Sequence, residues 1–370
     1  MPEEISAAGQ SAVYTGLVKK QTQAYHRFFA KLRDLVFQKN AELANDPKNH
    51  NLLEGWAKED ARYITPLATL GQLGMTINAR NLEYLFRVFA SQNLSEIKAI
   101  GKAMYLLVEK VAPSIILFVG ANDFDQKTYP ALHMFSSGLT PLGGSRGDCP
   151  AVALKDFTLD ADTRVAAAIL HRVSGQGYDQ CQIQAKSMAL AQKAELFKQS
   201  FSNMQFYDSV LREFEFAELT FELNISAACF AQLKRHRMLT ITAQPYIPEL
   251  GVEVPDAIRE IGGEPEFNQL VLETNALYDK LFPQIGLAAQ YVLTNAHRRR
   301  VLLKVNAREL YHIARLREDA HAQWDIQRVA AAMSRLAEEK MPLVFGLLCG
   351  KDRYAERYRK LFGKSPKITP

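Results

Sequence analysis

A chain of 370 residues, 48% hydrophobic and 23% charged, has the composition of a globular protein able to bury one large core or two ordinary ones. No apolar run approaches the roughly 18 residues needed to cross a bilayer, and MPEEISAAGQ lacks the basic start and apolar core of an export signal, so the cytoplasm is the expected location. The formal charge of +5 is mild and mostly dispersed, which suits a protein binding small anions better than one coating a nucleic acid.

In chain order, Ser11 to Leu43 carries Tyr14, Leu17, Tyr25, Phe28, Phe29, Leu32 and Leu35 at helical spacing and predicts a long helix. Ser136 to Pro150, SSGLTPLGGSRGDCP, concentrates Gly, Pro and Ser and predicts a linker. The expected domains are therefore 1–140 and 150–370. The acidic opening of DADTRVAAAILHRVSG leads into an alanine-rich apolar face, a further helix. Cys149, Cys181, Cys229 and Cys349 show no CxxC or Cys/His spacing, so buried thiols are expected rather than a zinc site or disulfides.

Within FELNISAACFAQLKRHR (221–237), Phe221 to Asn224 predicts a strand end and Ser226 an N-cap. A short helix follows, with Lys234 to Arg237 as its last turn. Basic residues there either complement the helix dipole or aim donors at phosphate or carbonyl oxygens. The local sequence leaves both readings open. In KVNARELYHIARLREDAHAQWDIQRVAAAM (304–333), Arg308 and His312 share a helical face. Trp324 offers a flat wall there, and Gln323 an amide that can read a ring edge. No GxxxxGKS, no GxGxxG after a strand and no HExxH occurs, so a nucleotide or flavin bound here is not held by a Rossmann turn.

The chain also repeats itself. TINARNLEYLFR (76–87) returns as KVNARELYHIAR (304–315), an offset of 228 residues, and EDARYITP (59–66) aligns with LAAQYVLT (287–294) at the same offset. AM-x8-P at 103–113 returns at 332–342 with an offset of 229, so one residue has entered or left between Val88–Glu96 and Leu316–Asp325. Domain duplication with an abbreviated first copy is the expectation.

RHR followed by a polar loop, then NAR, then RLREDAHAQWDIQ resembles the flavin-dependent thymidylate synthases over about 150–345, with a partial echo at 57–113. The resemblance implies an α/β (α+β) fold of helices on a mainly antiparallel sheet, with the helix-rich partial repeat before it. It implies a homo-oligomer that methylates dUMP to dTMP using methylenetetrahydrofolate, FAD and NADPH. By position, Arg235, His236, Arg237, Asn306, Ala307, Arg308 and His312 are the implied FAD contacts. Gln232, Arg235 and Gln244 fall on the nucleotide side, and Arg317 matches the arginine that lies against the pyrimidine and helps ionise it. No metal is implied.

Departures fall on the nucleotide side. Pro245 stands where the family has a serine after RHR and seven intervening residues, and the arginine that follows is absent. Phe216 replaces a histidine, and Gln290 an arginine. The first copy keeps an arginine at the position aligned with Gln290, Arg62, which is therefore expected to supply the anion contact that the second copy lost, against a plain surface pair with Glu59. A different uracil nucleotide, or a regulator that binds nucleotide or flavin without turnover, are the alternatives these departures leave.

Overall fold

A computed structural model of the chain describes residues 1–139 and 150–369. The first stretch holds α1 (Glu3–Ala7), α2 (Ser11–Lys39), α3 (Ala41–Ala44), α4 (His50–Ala61), α5 (Ala79–Ala90), α6 (Ser95–Val108) and α7 (Asp123–Ser137). The second begins with β1 (Val152–Phe157), α8 (Ala161–Ser174), α9 (Tyr178–Ser187), α10 (Leu190–Phe201), β2 (Glu218–Ser226), α11 (Ala227–Leu233) and β3 (Thr240–Ala243). It continues through α12 (Asp256–Glu260), α13 (Glu264–Ile285), β4 (Arg298–Asn306), α14 (Ala307–Arg317), α15 (Trp324–Lys340) and α16 (Tyr354–Phe362). Helix α7 takes Ser136 and Ser137 of the expected linker; most of the rest, with Cys149, lies outside the described residues.

The chain packs as two units, Met1–Arg146 with Val254–Asn295 and Gly147–Glu253 with Ala296–Pro370. This differs from the boundary expected at 140–150, because α12 and α13 pack with the N-terminal helices rather than with the sheet. In that first unit Leu17, Gln21, Ala24, Phe28 and Leu32 form the buried stripe of α2. Gln21 sits mid-stripe with its amide nitrogen donating to Thr274 Oγ1 at 2.9 Å and to the Val292 carbonyl at 3.0 Å, so its donors are met from α13 and the turn after it while its Oε1 stays buried without a partner.

The repeat has a local two-fold signature inside this unit. Pro66 and Thr294, aligned at the 228-residue offset, form an antiparallel bridge with each other. The flanking bonds obey the same relation: Leu67 N donates to Leu293 O at 2.7 Å, and Asn295 N to Thr65 O at 3.0 Å. Residue 67 is the image of 295, and 65 of 293. Such a contact is isologous, each copy offering the same surface to the other.

The other unit is built on a four-stranded sheet in the order β1-β2-β4-β3, every neighbouring pair antiparallel. Period-two patterning turns Leu219, Phe221, Leu223 and Ile225 of β2 and Val301, Leu303 and Val305 of β4 into one apolar face. Phe197, Phe201 and Phe214 join the core of that face with Ile326, Val329 and Met333 of α15. The opposite face is charged and laced by Lys155–Glu222 at 2.9 Å and Lys304–Glu218 at 2.6 Å. This matches the expected helices on an antiparallel sheet.

Helix starts keep the sequence offsets. Helix α5 begins 228 residues before α14, and each is capped by an asparagine, Asn78 Oδ1 accepting from Asn81 N and Asn306 Oδ1 from Glu309 N, both at 2.9 Å. Helices α6 and α15 begin 229 residues apart, at Ser95 and Trp324, so the gained residue sits in the turn between helices.

Candidate functional site

The RHR stretch lies just beyond α11, not in its last turn. Ser226 caps the helix as expected, its Oγ accepting from Cys229 N at 3.0 Å. The helix stops at Leu233 because the next bonds tighten to three-residue spacing, Arg235 N to Gln232 O at 3.4 Å and His236 N to Leu233 O at 3.1 Å. That turn drives His236 inward, to 5% exposure, and leaves Arg235 and Arg237 on the surface. Neither arginine makes a side-chain hydrogen bond or ion pair among the described residues, so both carry unspent donors.

His236 belongs to a network that ties the three expected segments together. Arg317, at the end of α14, donates from Nε to His236 Nε2 at 3.0 Å, from Nη1 to Gln232 Oε1 at 3.2 Å and from Nη2 to the Gln232 carbonyl at 3.3 Å. Because His236 Nε2 accepts, the neutral ring carries its proton on Nδ1, which faces Glu309 Oε1 at 3.5 Å. His312 packs edge-on against His236 with ring centroids 5.6 Å apart, and its Nδ1 meets Arg315 Nη2 at 3.3 Å.

Burial pushes the His312 pKa down, with Glu309 opposing the shift and Arg315 and Arg317 adding to it, so the neutral ring is favoured. Burial, with Arg235 beside it, also lowers Arg317, though a guanidinium remains charged at any physiological pH. One charge is thus held in fixed orientation by three neutral acceptors.

The remaining expected residues divide by role. Asn306 is spent on its N-cap and Ala307 is fully buried, its N–H donating to Ala217 O at 2.8 Å, so both position α14. Arg308 reaches the Val210 carbonyl at 3.0 Å and Glu215 at 3.1 Å. With His312, Arg315, Phe206, Lys351 and Tyr354 it lines a cleft whose cavity volume is about 20 Å³, room for about one water. Gln244 has an exposed side chain, and its carbonyl accepts from Arg299, whose guanidinium is sandwiched by Phe230 and Tyr246 at 4.7 and 4.3 Å.

Gln323 does not present its amide to a ligand. It is 3% exposed, and Oε1 caps α15 by accepting from Asp325 N at 3.1 Å. Arg62 lies in the other unit with Gln290, its aligned counterpart. Its Nε is buried without a hydrogen-bond partner, and among the described residues no ion pair joins it to Glu59.

Sequence reasoning missed two groups. Glu309, buried at 8%, faces His236; a glutamate three residues before His312 on the same helical face was the available signal. Asp325 accepts from Ser226 Oγ at 2.6 Å and from Arg328, three residues on along α15, at 3.3 Å, and Arg328 also pairs with Glu253 at 2.9 Å; no local pattern encodes the ties to Ser226 and Glu253.

His236, Glu309 and His312 bring ligand-type atoms within 4.8 Å of one another. A metal on either nitrogen of His236 would break the Arg317 bond or turn Nε2 into a donor facing a donor, and two guanidiniums already charge the surroundings. The thiols among the described residues are equally unsuited to nucleophilic work. Cys181, Cys229 and Cys349 are buried, and burial raises Cys229 well above the thiol range and Cys349 to about 12.

No helix among the described residues is long and apolar enough to cross a membrane. The family described as thymidylate synthase complementing protein matches residues 1–114 and 153–343. Over 94% of the chain and 74% of its own length, a UPF0159 protein of Thermoplasma acidophilum is 21% identical; one of Chlamydia muridarum is 24% identical over 74% of the chain and 53% of its length. The chain therefore spans about half the length of the chlamydial relative. The flavin-dependent thymidylate synthase of Geobacter sulfurreducens is 28% identical over 57% of the chain and 97% of its own length. With both stretches matched and the sheet, helices and cap residues arranged as described, this chain belongs to the thymidylate synthase complementing protein family, as a divergent member.

Proposed function

We propose that the chain catalyses the reductive methylation of dUMP to dTMP, with methylenetetrahydrofolate as one-carbon donor and NADPH as reductant. The observation that carries this reading is the Arg317 guanidinium, fixed by His236 and Gln232 beside Arg235, with every thiol among the described residues buried. A fixed cation of this kind stabilises the negative charge that builds on the pyrimidine as N3 loses its proton and C5 becomes nucleophilic, with no need for a cysteine adduct. Gln232 and His236 hold the fork in place, so little reorganisation is left for the moment of reaction.

FAD, when bound, supplies the hydride chemistry. The residues present fit it: the partnerless Arg235 and Arg237 suit a diphosphate, and Arg308 and His312 lie at the adjoining cleft. A cavity of about 20 Å³ cannot enclose a flavin ring, which favours a second copy of the chain as the other wall and hence a homo-oligomer. Arg62 is the candidate to replace the nucleotide-side arginine that Gln290 lost. Pro245 and Gln290 favour a second reading, in which another uracil nucleotide is taken or ligands are held without turnover.

The test is the absorbance spectrum of the purified chain together with tritium release from 5-labelled dUMP. Arg235→Ala with Arg237→Ala is expected to give a folded, colourless protein at unchanged melting temperature, since neither side chain has a hydrogen-bond or ion-pair partner among the described residues. Stoichiometric FAD in that variant would overturn the flavin assignment. A yellow wild type that releases no tritium would overturn the assignment to dUMP.

A further inference from the structure

Helix α14 reaches the His236 ring from both of its ends. Arg317 in its last turn donates from Nε to His236 Nε2 at 3.0 Å, and Glu309 in its first turn sets Oε1 at 3.5 Å from His236 Nδ1. The histidine and glutamate side chains are 3% and 10% exposed, so water screens the pair little. An imidazole between a guanidinium and a carboxylate has one arrangement of protons that suits both. With the proton on Nδ1, a donor faces the carboxylate and a lone pair faces the guanidinium. With a proton on Nε2, in the other tautomer or in the doubly protonated ring, an N–H would meet the Nε–H of Arg317 at 3.0 Å.

The other two bonds of Arg317 go to Gln232, whose Oε1 and main-chain carbonyl only accept. His236 is therefore the one partner of this guanidinium that can change from acceptor to donor. His312 lies edge-on to the ring, with centroids 5.6 Å apart, and its Nδ1 is engaged by Arg315 at 3.3 Å. Glu309 is thus the anion facing His236 among the described residues. No hydrogen bond reaches its carboxylate there, and a carboxylate buried in that way is costly to keep. Its place in the first turn suits the helix dipole, but a position on the outer face of that turn would serve the dipole equally, and Glu309 is turned inward.

We propose that Glu309 is a positioning residue for Arg317: its carboxylate holds His236 with the proton on Nδ1, and that form of the ring holds the guanidinium in the orientation it presents to substrate. The second link rests on the reading of Arg317 as the cation beside the pyrimidine. The first, from Glu309 to His236, does not depend on it.

The experiment uses the full chain carrying nitrogen-15 histidine, as wild type, Glu309→Gln, Glu309→Leu and Glu309→Ala. Glutamine keeps an oxygen that can accept from Nδ1. Leucine replaces a buried charge with an apolar side chain of similar size, a change that folds tolerate, and alanine adds no bulk. Without substrate, the His236 nitrogens, assigned by their loss in His236→Asn, are expected to show a protonated Nδ1 and a bare Nε2 in wild type and Glu309→Gln. In Glu309→Leu and Glu309→Ala the two tautomers are expected to mix. In these two, kcat for tritium release from 5-labelled dUMP is expected to fall about tenfold or more, with KM changed less and Glu309→Gln close to wild type. A ring that keeps its proton on Nδ1 without the carboxylate, wild-type kcat from a mixed ring, or equal loss in the glutamine and leucine variants would each overturn the proposal. Because the nitrogens are read without substrate, failure of the dUMP reading would appear separately, as an inactive wild type with the nitrogen pattern intact.

Discussion

Arg317→Ala separates the structural and chemical work of the site. Its guanidinium makes three hydrogen bonds, two of them to Gln232, which keeps access to water, and one to His236, which does not. Losing the Gln232 bonds costs little, while leaving the buried His236 Nε2 without its donor costs roughly 1–3 kcal/mol. For a folding unit of this size each kcal/mol lowers the melting temperature by about 2–4 °C, so the variant remains folded at 25 °C. Removing a charge-assisted contact costs roughly 1.5–3 kcal/mol of ligand affinity, a fall of about 10- to 150-fold for dUMP. Calorimetric titration of dUMP, scanning calorimetry and tritium release are read on the same preparation. Wild-type affinity and turnover in a variant whose melting point has fallen would refute the reasoning, because the arginine would then be a structural tie only.

Two further outcomes follow from particular side chains. Burial raises the pKa of Glu318, with the Ser334 hydroxyl bond and two arginines opposing it. A raised carboxyl contributes stability below its unfolded value that is lost as pH rises through the folded one, so Glu318→Gln, whose carbonyl can still accept from Ser334, is expected to melt higher than wild type near neutrality and to match it toward about pH 4.5. A variant with an unchanged slope of melting temperature against pH would contradict that burial effect. Arg62→Ala is expected to weaken nucleotide binding several-fold, with the melting temperature read separately because Arg62 also offsets the burial of the Glu59 carboxylate; unchanged binding would leave the first copy as scaffold.

What could be read from sequence was what local chemistry dictates. The start of α2 at Ser11, the helix after Asp160 and the cap at Ser226 follow from spacing and from one oxygen near one N–H. The repeat predicted where α6 would begin relative to α15, because an insertion between two helices must fall in the turn. Long-range packing was not legible. Nothing local says that α13 leaves the sheet to join α2, that His236 turns inward while its neighbours stay out, or that Gln323 spends its amide on a helix end. Each is decided by what lies opposite in space: Thr274 beside Gln21, Glu309 beside His236, the open N-terminus of α15 beside Gln323.

The bridge between Pro66 and Thr294 changes the genetics of its own contact. In a pair of identical subunits any replacement at the axis appears on both sides, and its cost is felt twice. Here the two sides are separate codons. A proline without an N–H sits across from a threonine, and the flanking bonds from Leu67 and Asn295 persist. Each half can accept a substitution that a true dimer would have to survive in duplicate, so the two halves are free to specialise while the seam between them holds.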